Sequence, residues 1–209
     1  MKRAYSFDDV LLKPKYSDLT SRTEVDLSSE LGPGITLALP VISSPMDTVT
    51  EVDMARSMDQ ARAMGIVHRY NTIEEQSRLV QTAREAGTEN IGAAIGMTGD
   101  YFERATAVCA AGANVLCVDV AHGHHVMMQR ALSELKGAFG DSVHIIAGNV
   151  ATLEAFEDLA RWGADSIRVG IGGGSICSTR LVTGHGVPTL QSIMDVGQTT
   201  SEAKIIADG

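Results

Sequence analysis

Residues 144–175 read HIIAGNVATLEAFEDLARWGADSIRVGIGGGS, and this stretch holds a whole strand–helix–strand unit. HIIAGNV (144–150) and SIRVGIGGGS (166–175) are short, β-branched apolar runs of the kind that fill a buried strand. Between them, Leu153, Phe156, Leu159 and Ala160 fall on one face at the helical period. Thr152 stands just before that run as an N-cap, and Gly163 ends it. The unit recurs outward in both directions. PVISSPM (40–46), GIVHRY (65–70), NIGAAIG (90–96), VLCVDVAHG (115–123) and KIIADG (204–209) are further strand candidates. VDMARSMDQARAM, IEEQSRLVQTAREAG and YFERATAVCAAGA are the amphipathic stretches between them, the first placing Val52, Ala55, Met58 and Arg62 near one face. Near-continuous apolar strands alternating with helices, at about 25–30 residues per unit, mean a parallel sheet with helices outside it.

Several runs end in polar or glycine-rich clusters: SSPMDT, HRYN, DVAHGH, GNVAT, GIGGGS and DG. A closed barrel distributes its chemistry in this way, over the loops at the C-terminal ends of its strands. An open doubly wound sheet would gather its ligand signals at one or two switch points. The expected fold is therefore a parallel (β/α)8 barrel of the TIM type. Seven strands can be read and a closed barrel needs eight, so the expectation is a single catalytic barrel over residues 1–209, incomplete after the seventh strand, with a natural chain that continues past Gly209.

Composition narrows the function classes. Apolar residues make up 44%, charged residues 21% and aromatics 4%, with 21 glycines, which suits an α/β protein whose loops approach ligands closely. A formal net charge of −9 argues against a nucleic-acid partner, which needs clustered Lys and Arg, though backbone amides can still hold a single nucleotide. No apolar run approaches the roughly 20 residues that span a bilayer. The start, MKRAYSFDDVLLKP, has no apolar h-region, and three unpatterned cysteines form no disulfide framework, so a cytoplasmic setting is expected.

The strongest local signal is VGIGGGSICSTR (169–180). Its glycines free amides and carbonyls to turn inward, where amides make an anion site to which Ser175 adds a hydroxyl. Convergent carbonyls would equally suit a monovalent cation. Cys177, lifted into this loop beside Arg180, is in a setting that favours a thiolate, whereas Cys109 and Cys117 lie in helical and strand runs as small core hydrophobes. The loop alone leaves two readings open, a nucleophile or a phosphate-binding turn that happens to contain a cysteine. It is not a P-loop, since no Gly-Lys-Ser/Thr follows.

Asp119, at the end of its strand, reads either as an acceptor for ribose hydroxyls or as a cap of the next helix. His122, His124 and His125 invite a metal, but lack the i, i+4 helical spacing of a zincin. Ser44, Met46, Asp47, Asn149 and Asp208 occupy strand ends, as ligand or turn residues. His68 reads as a satisfied structural histidine.

Taken together, FDDVLLKP, SSPMDTVTE, GIVHRYNTIEEQ, DVAHGH, AGNVAT, VGIGGGSICSTR, TGHGVPTL and IADG resemble the IMP dehydrogenase/GMP reductase family, in the family's order from residue 7 to the last residue. The resemblance implies that Cys177 attacks C2 of a purine nucleotide, with NAD taking hydride from IMP on the way to XMP. The reductase alternative is GMP and NADPH giving IMP and ammonia. It further implies that Ser175 and Asp208 hold the nucleotide's phosphate and ribose, and that Ser44 and Met46 line the purine site. Asp119 would contact the cofactor ribose, with Asn149 and Gly170 nearby. Gly172, Gly174 and Cys177 would offer carbonyls to potassium, and Thr179 would sit beside the activated water or ammonia. A homotetramer is implied as well.

Three departures stand out. Gly173 occupies a position where proline is common. Only a short connection joins Gln81 to Asn90, where many dehydrogenases insert CBS modules. The flap and the later phosphate-binding glycines are not in the sequence. PMDTVTE, DVAHGH and TGHGVP resemble the dehydrogenase more than the reductase, so the expected reaction is NAD-dependent oxidation of IMP, with a non-catalytic purine-nucleotide binder as the contrasting class. An aldolase-like barrel finds no support, because no Schiff-base lysine stands at a strand end.

Overall fold

A computed structural model describes residues 3–32 and 34–209. A short antiparallel hairpin, β1 (Ser29–Gly32) and β2 (Ile35–Leu37), precedes the repeating units. These are β3 (Ile42–Ser43), α1 (Val52–Gln60), β4 (Met64–Val67), α2 (Ile73–Glu85), β5 (Ile91–Ile95) and α3 (Tyr101–Ala110). They continue with β6 (Val115–Asp119), α4 (Val126–Phe139), β7 (His144–Val150), α5 (Leu153–Arg161), β8 (Ser166–Val169), α6 (Thr179–Thr183), α7 (Thr189–Val196) and β9 (Lys204–Ala207). Strands β3 to β9 pair in chain order, all parallel. They form a curled half-barrel with helices outside. Ile42 of β3 and Ile206 of β9 both pack on the inner core, and both strands line one cavity of about 30 Å³ without being paired.

Local chemistry explains the element ends. Thr152 caps α5 by accepting from the Ala155 N–H, and Gly163, with φ of +109°, turns the chain out of it. Thr72 and Glu75 form a reciprocal capping box at the start of α2. Two expectations are corrected in detail. Arg62 lies beyond α1, in the left-handed region at φ +58°, so it shares no helical face with Val52 and Ala55. Six of the seven candidate strand runs are also longer than the strands, whereas HIIAGNV (144–150) coincides with β7.

The two faces of the sheet separate by alternation. Ile91, Ala93, Ile95, Leu116, Val118, Ile145, Ala147, Ile167 and Val169 face the helices in the larger core. Ala94, Val115, Cys117 and Ile146 face inward, where Leu31, Ile35 and Leu37 of the hairpin meet them and close the N-terminal mouth of the barrel. Among the described residues, no helix is long and apolar enough to cross a membrane.

Candidate active site

The inward parity that places Val115, Cys117 and Ile146 in the core continues upward to Asp119, Gly148, Arg168 and Asp208. Register puts Asp119 beside Gly148 and Gly148 beside Arg168. A Cβ on Gly148 would stand 2.8 Å from the Arg168 Cβ, so glycine leaves the space across which the arginine reaches β6. Arg168 Nη1 donates to Asp119 Oδ1 at 2.6 Å, and Nη2 donates to Asp208 Oδ2 at 2.8 Å. Burial opposes the charge on this arginine, but the fields of Cys117, Asp208 and Asp119 outweigh it and raise its pKa further. Sequence reasoning missed Arg168. Its signal was a charged residue inside the apolar strand SIRV, which only paired carboxylates make tolerable.

A break in register between Gly148 and Val150 leaves Asn149 without a partner on β8. Its side-chain amide donates to the Gly170 carbonyl at 2.8 Å and to Asp208 Oδ2 at 2.5 Å. A side chain on Gly170, at φ +152°, would collide with the Asp208 carbonyl, which explains the glycine.

An antiparallel bridge between Ile171 and Val187 closes the cysteine loop just beyond β8. Cys177 Sγ lies 3.3 Å from Thr179 Oγ1. The Thr179 hydroxyl and amide, the Gly172 amide and the Arg180 charge all lower the Cys177 pKa, the hydroxyl most, against a small opposing effect of burial. Cys109 and Cys117 are pushed up by burial, to about 11 and about 12.

Cys177, Thr179, Asp119, Asn149, Gly170, Gly172, Gly174, Ser44, Met46 and Asp208 line one cleft of about 560 Å³, together with Arg168. Arg69 and Tyr70 line it too, although the sequence had not singled them out. Arg69 donates to the Asp119 carbonyl at 3.2 Å, sits over the Tyr70 ring and keeps a buried Nε without a partner. Two expected residues fall outside. Ser175 is exposed on the loop and does not line the cleft, and Asp47 lines a separate surface hollow.

The structure disperses the histidines. His125 caps α4 by accepting from the Met127 N–H, which removes that role from Asp119. His124 bonds Asp158 at 2.8 Å and stacks on Trp162, and with His122 it lines a neighbouring apolar cleft of about 610 Å³. Among the described residues, no group of three or more His, Cys, Asp or Glu is placed to hold a metal ion. His68 is buried between two partners, Glu51 at 2.9 Å and the Tyr70 N–H at 3.2 Å.

The two carboxylates of the cleft suit nucleotide riboses in the acceptors they offer. Asp119 and Asp208 each have one oxygen fixed by Arg168 and a second outside that bond, the form a carboxylate needs to accept ribose hydroxyls. For an alkali cation the fit is one of kind: neutral carbonyls on a glycine loop, of which Gly174's also accepts the Cys177 N–H at 3.1 Å.

Comparison with known proteins follows the same lines. The family model for the IMP dehydrogenase / GMP reductase domain matches residues 4–209. Among curated relatives, inosine-5'-monophosphate dehydrogenase of Nitrosopumilus maritimus is 30% identical over 100% of this chain and 70% of its own length. The Cryptosporidium parvum enzyme of the same name is 35% identical over 99% and 62%. GMP reductase of Vibrio campbellii is 34% identical over 97% and 60%. The chain thus spans between 60% and 70% of the length of these relatives. With a family model covering all but its first three residues, and the family's cysteine loop facing two carboxylates across one cleft, this chain belongs to the IMP dehydrogenase/GMP reductase family.

Proposed function

We propose that this chain is the catalytic barrel of a purine-nucleotide oxidoreductase that works through a covalent bond between Cys177 and C2 of the base, oxidising IMP to XMP. The observation that carries the reading is the convergence, in one cleft, of a thiol with lowered pKa and two carboxylates tied to a single arginine. As a thiolate, Cys177 adds to C2, and the Thr179 hydroxyl and the Thr179 and Gly172 amides stabilise the negative sulfur beforehand. Asp208 accepts from the nucleotide's ribose and Met46 lies against the base, with Ser44 beside it. Asp119 would hold the ribose of a nicotinamide dinucleotide, near Asn149 and Gly170. Bound there, that cofactor supplies a hydride acceptor for C2. Water then adds at C2 beside Thr179, the C–S bond breaks, and XMP leaves with the thiol restored. Potassium would be held by the carbonyls of Gly172, Gly174 and Cys177, where it would fix the loop around the sulfur. Ser175, exposed beside the cleft, would reach the nucleotide's phosphate from the loop.

One observation favours the reductase reading, GMP and NADPH giving IMP and ammonia. The alignment with the Vibrio campbellii reductase runs over 211 positions, close to the 209 of this chain, whereas that with the Nitrosopumilus enzyme runs over 333. The test is spectrophotometric. IMP with NAD should raise absorbance at the reduced-nicotinamide band, and Cys177→Ala should abolish this while nucleotide binding persists. Consumption of NADPH with GMP, and none of the first reaction, assigns the reductase instead. Nucleotide binding without either reaction assigns a non-catalytic binder.

A further inference from the structure

We infer that Arg168 is the positioning residue for both nucleotides, one guanidinium setting the purine-nucleotide carboxylate and the dinucleotide carboxylate together, so that the two subsites are coupled. The inference rests on the reading above for what the carboxylates hold, but the coupling itself follows from geometry.

Arg168 is only 8% exposed, and Asp119 and Asp208 find their ion-pair partner in it, through different nitrogens of the same planar group. A guanidinium is rigid and plane-bound, so a movement of one carboxylate swings the donor offered to the other. The pairing fixes one oxygen of each carboxylate and turns the other outward. Asn149 adds a second bond to the fixed Asp208 oxygen, whereas the Asp119 carboxylate receives no second side-chain donor among the described residues. Asp119 therefore depends more heavily on the arginine. Gly148 holds the passage open, since any side chain there would displace Arg168 from its path. Taking the arginine away leaves two partly buried carboxylates facing one cleft without their ion-pair partner. Each then loses the donor that orients it, and the ribose acceptor is no longer held in place.

The experiment uses the full-length protein in a Cys177→Ala background, which blocks turnover and lets both ligands be present. Calorimetry measures dissociation constants for IMP alone, and for NAD at saturating IMP, with GMP and NADPH run in parallel. Arg168→Met is expected to weaken both ligands at least tenfold. Arg168→Lys, which keeps a cation with three donors between the carboxylates, should recover both together. Asp119→Asn should weaken the dinucleotide and also shift the purine-nucleotide constant at least threefold, because the guanidinium it releases moves wholly to Asp208. Loss of one affinity alone in Arg168→Met, or of neither, overturns the coupling. If Arg168→Met does not fold, Asp119→Asn decides, and an unchanged purine-nucleotide constant overturns it. A parent protein that binds no purine nucleotide overturns the functional reading instead, whatever Arg168 does.

Discussion

Burial holds the thiols of Cys109 and Cys117 up, at about 11 and about 12, and at Cys117 it outweighs the opposing donor and charge of Arg168. Cys177 moves the other way, because the Thr179 hydroxyl, the Thr179 and Gly172 amides and Arg180 all favour its anion. Only thiolate reacts with an alkylating agent, so a lower pKa starts the reaction at lower pH. Iodoacetamide at neutral pH should therefore modify Cys177 at least tenfold faster than the other two, as read by peptide mass spectrometry. Thr179→Val removes the largest lowering influence and should move the Cys177 alkylation profile to higher pH. An unmoved profile would show that the hydroxyl does not set the acidity. Much of this was legible in the sequence, because a cysteine among glycines has few structural reasons to be there. Arg168 was not, because its meaning lies in register. Only once β6, β7 and β8 are aligned does Gly148 become the gap through which it meets Asp119. Ser175 shows a different limit: a loop residue's direction is not fixed by any period, and this one is exposed on the loop outside the cleft lining.

The alternating strands and helices could be read because both kinds of element carry a period, and a parallel strand buried on both faces shows as an unbroken apolar run. The ends could not. In 166–175 the strand stops at Val169, since the glycines beyond it serve the loop rather than the ladder. The β1–β2 hairpin was missed as well: its strands are four and three residues long and flank a Gly-Pro-Gly turn signal, too short for a period to register. Gly173 illustrates how an element constrains its neighbour. A Cβ there would collide with Thr189 Oγ1 at the start of α7, whose Ser192 and Val196 are buried behind it. The position is thus closed to any side chain while Thr189 keeps its rotamer, proline included. Gly173→Ala should cost about 1–3 kcal/mol by overpacking, at roughly 2–4 °C of melting temperature per kcal/mol for a chain of this size. Adding Thr189→Ala removes the colliding oxygen and should restore most of the loss. If the double variant melts no higher than Gly173→Ala, the collision is not what the glycine avoids.

The half-barrel has two ends with different tasks, chemistry at the C-terminal ends of the strands and closure by the hairpin at the N-terminal ends. Closure depends on His144, the first residue of β7. Its ring occupies the place where a Cβ of Gly32 would stand, 2.5 Å from Nδ1, so at Gly32 the hairpin meets the sheet at an imidazole. His144 Nε2 lies 2.7 Å from Ser166 Oγ, and the ring is almost fully buried. Burial lowers its pKa from the ordinary 6.5, with Lys136 acting in the same direction and Asp165 against them. The unfolded chain therefore binds a proton at a pH where the folded one does not, and stability from this group rises with pH. That stability is fully present above the unfolded value of about 6.5 and is lost as pH falls from there toward the lower folded pKa. Protonation also places a charge against the hairpin at Gly32. The expected outcome is a melting temperature that holds from pH 8 to 7 and falls on acidification below about 6.5. Carboxylates lose stability in acid too, so the informative quantity is the difference between parent and His144→Gln. The variant cannot take up the proton and should melt lower at pH 8, where it loses the imidazole packing, yet decline less steeply between pH 6.5 and 5. Identical slopes in the two proteins would mean that the hairpin closes the barrel without any titrating group at the joint.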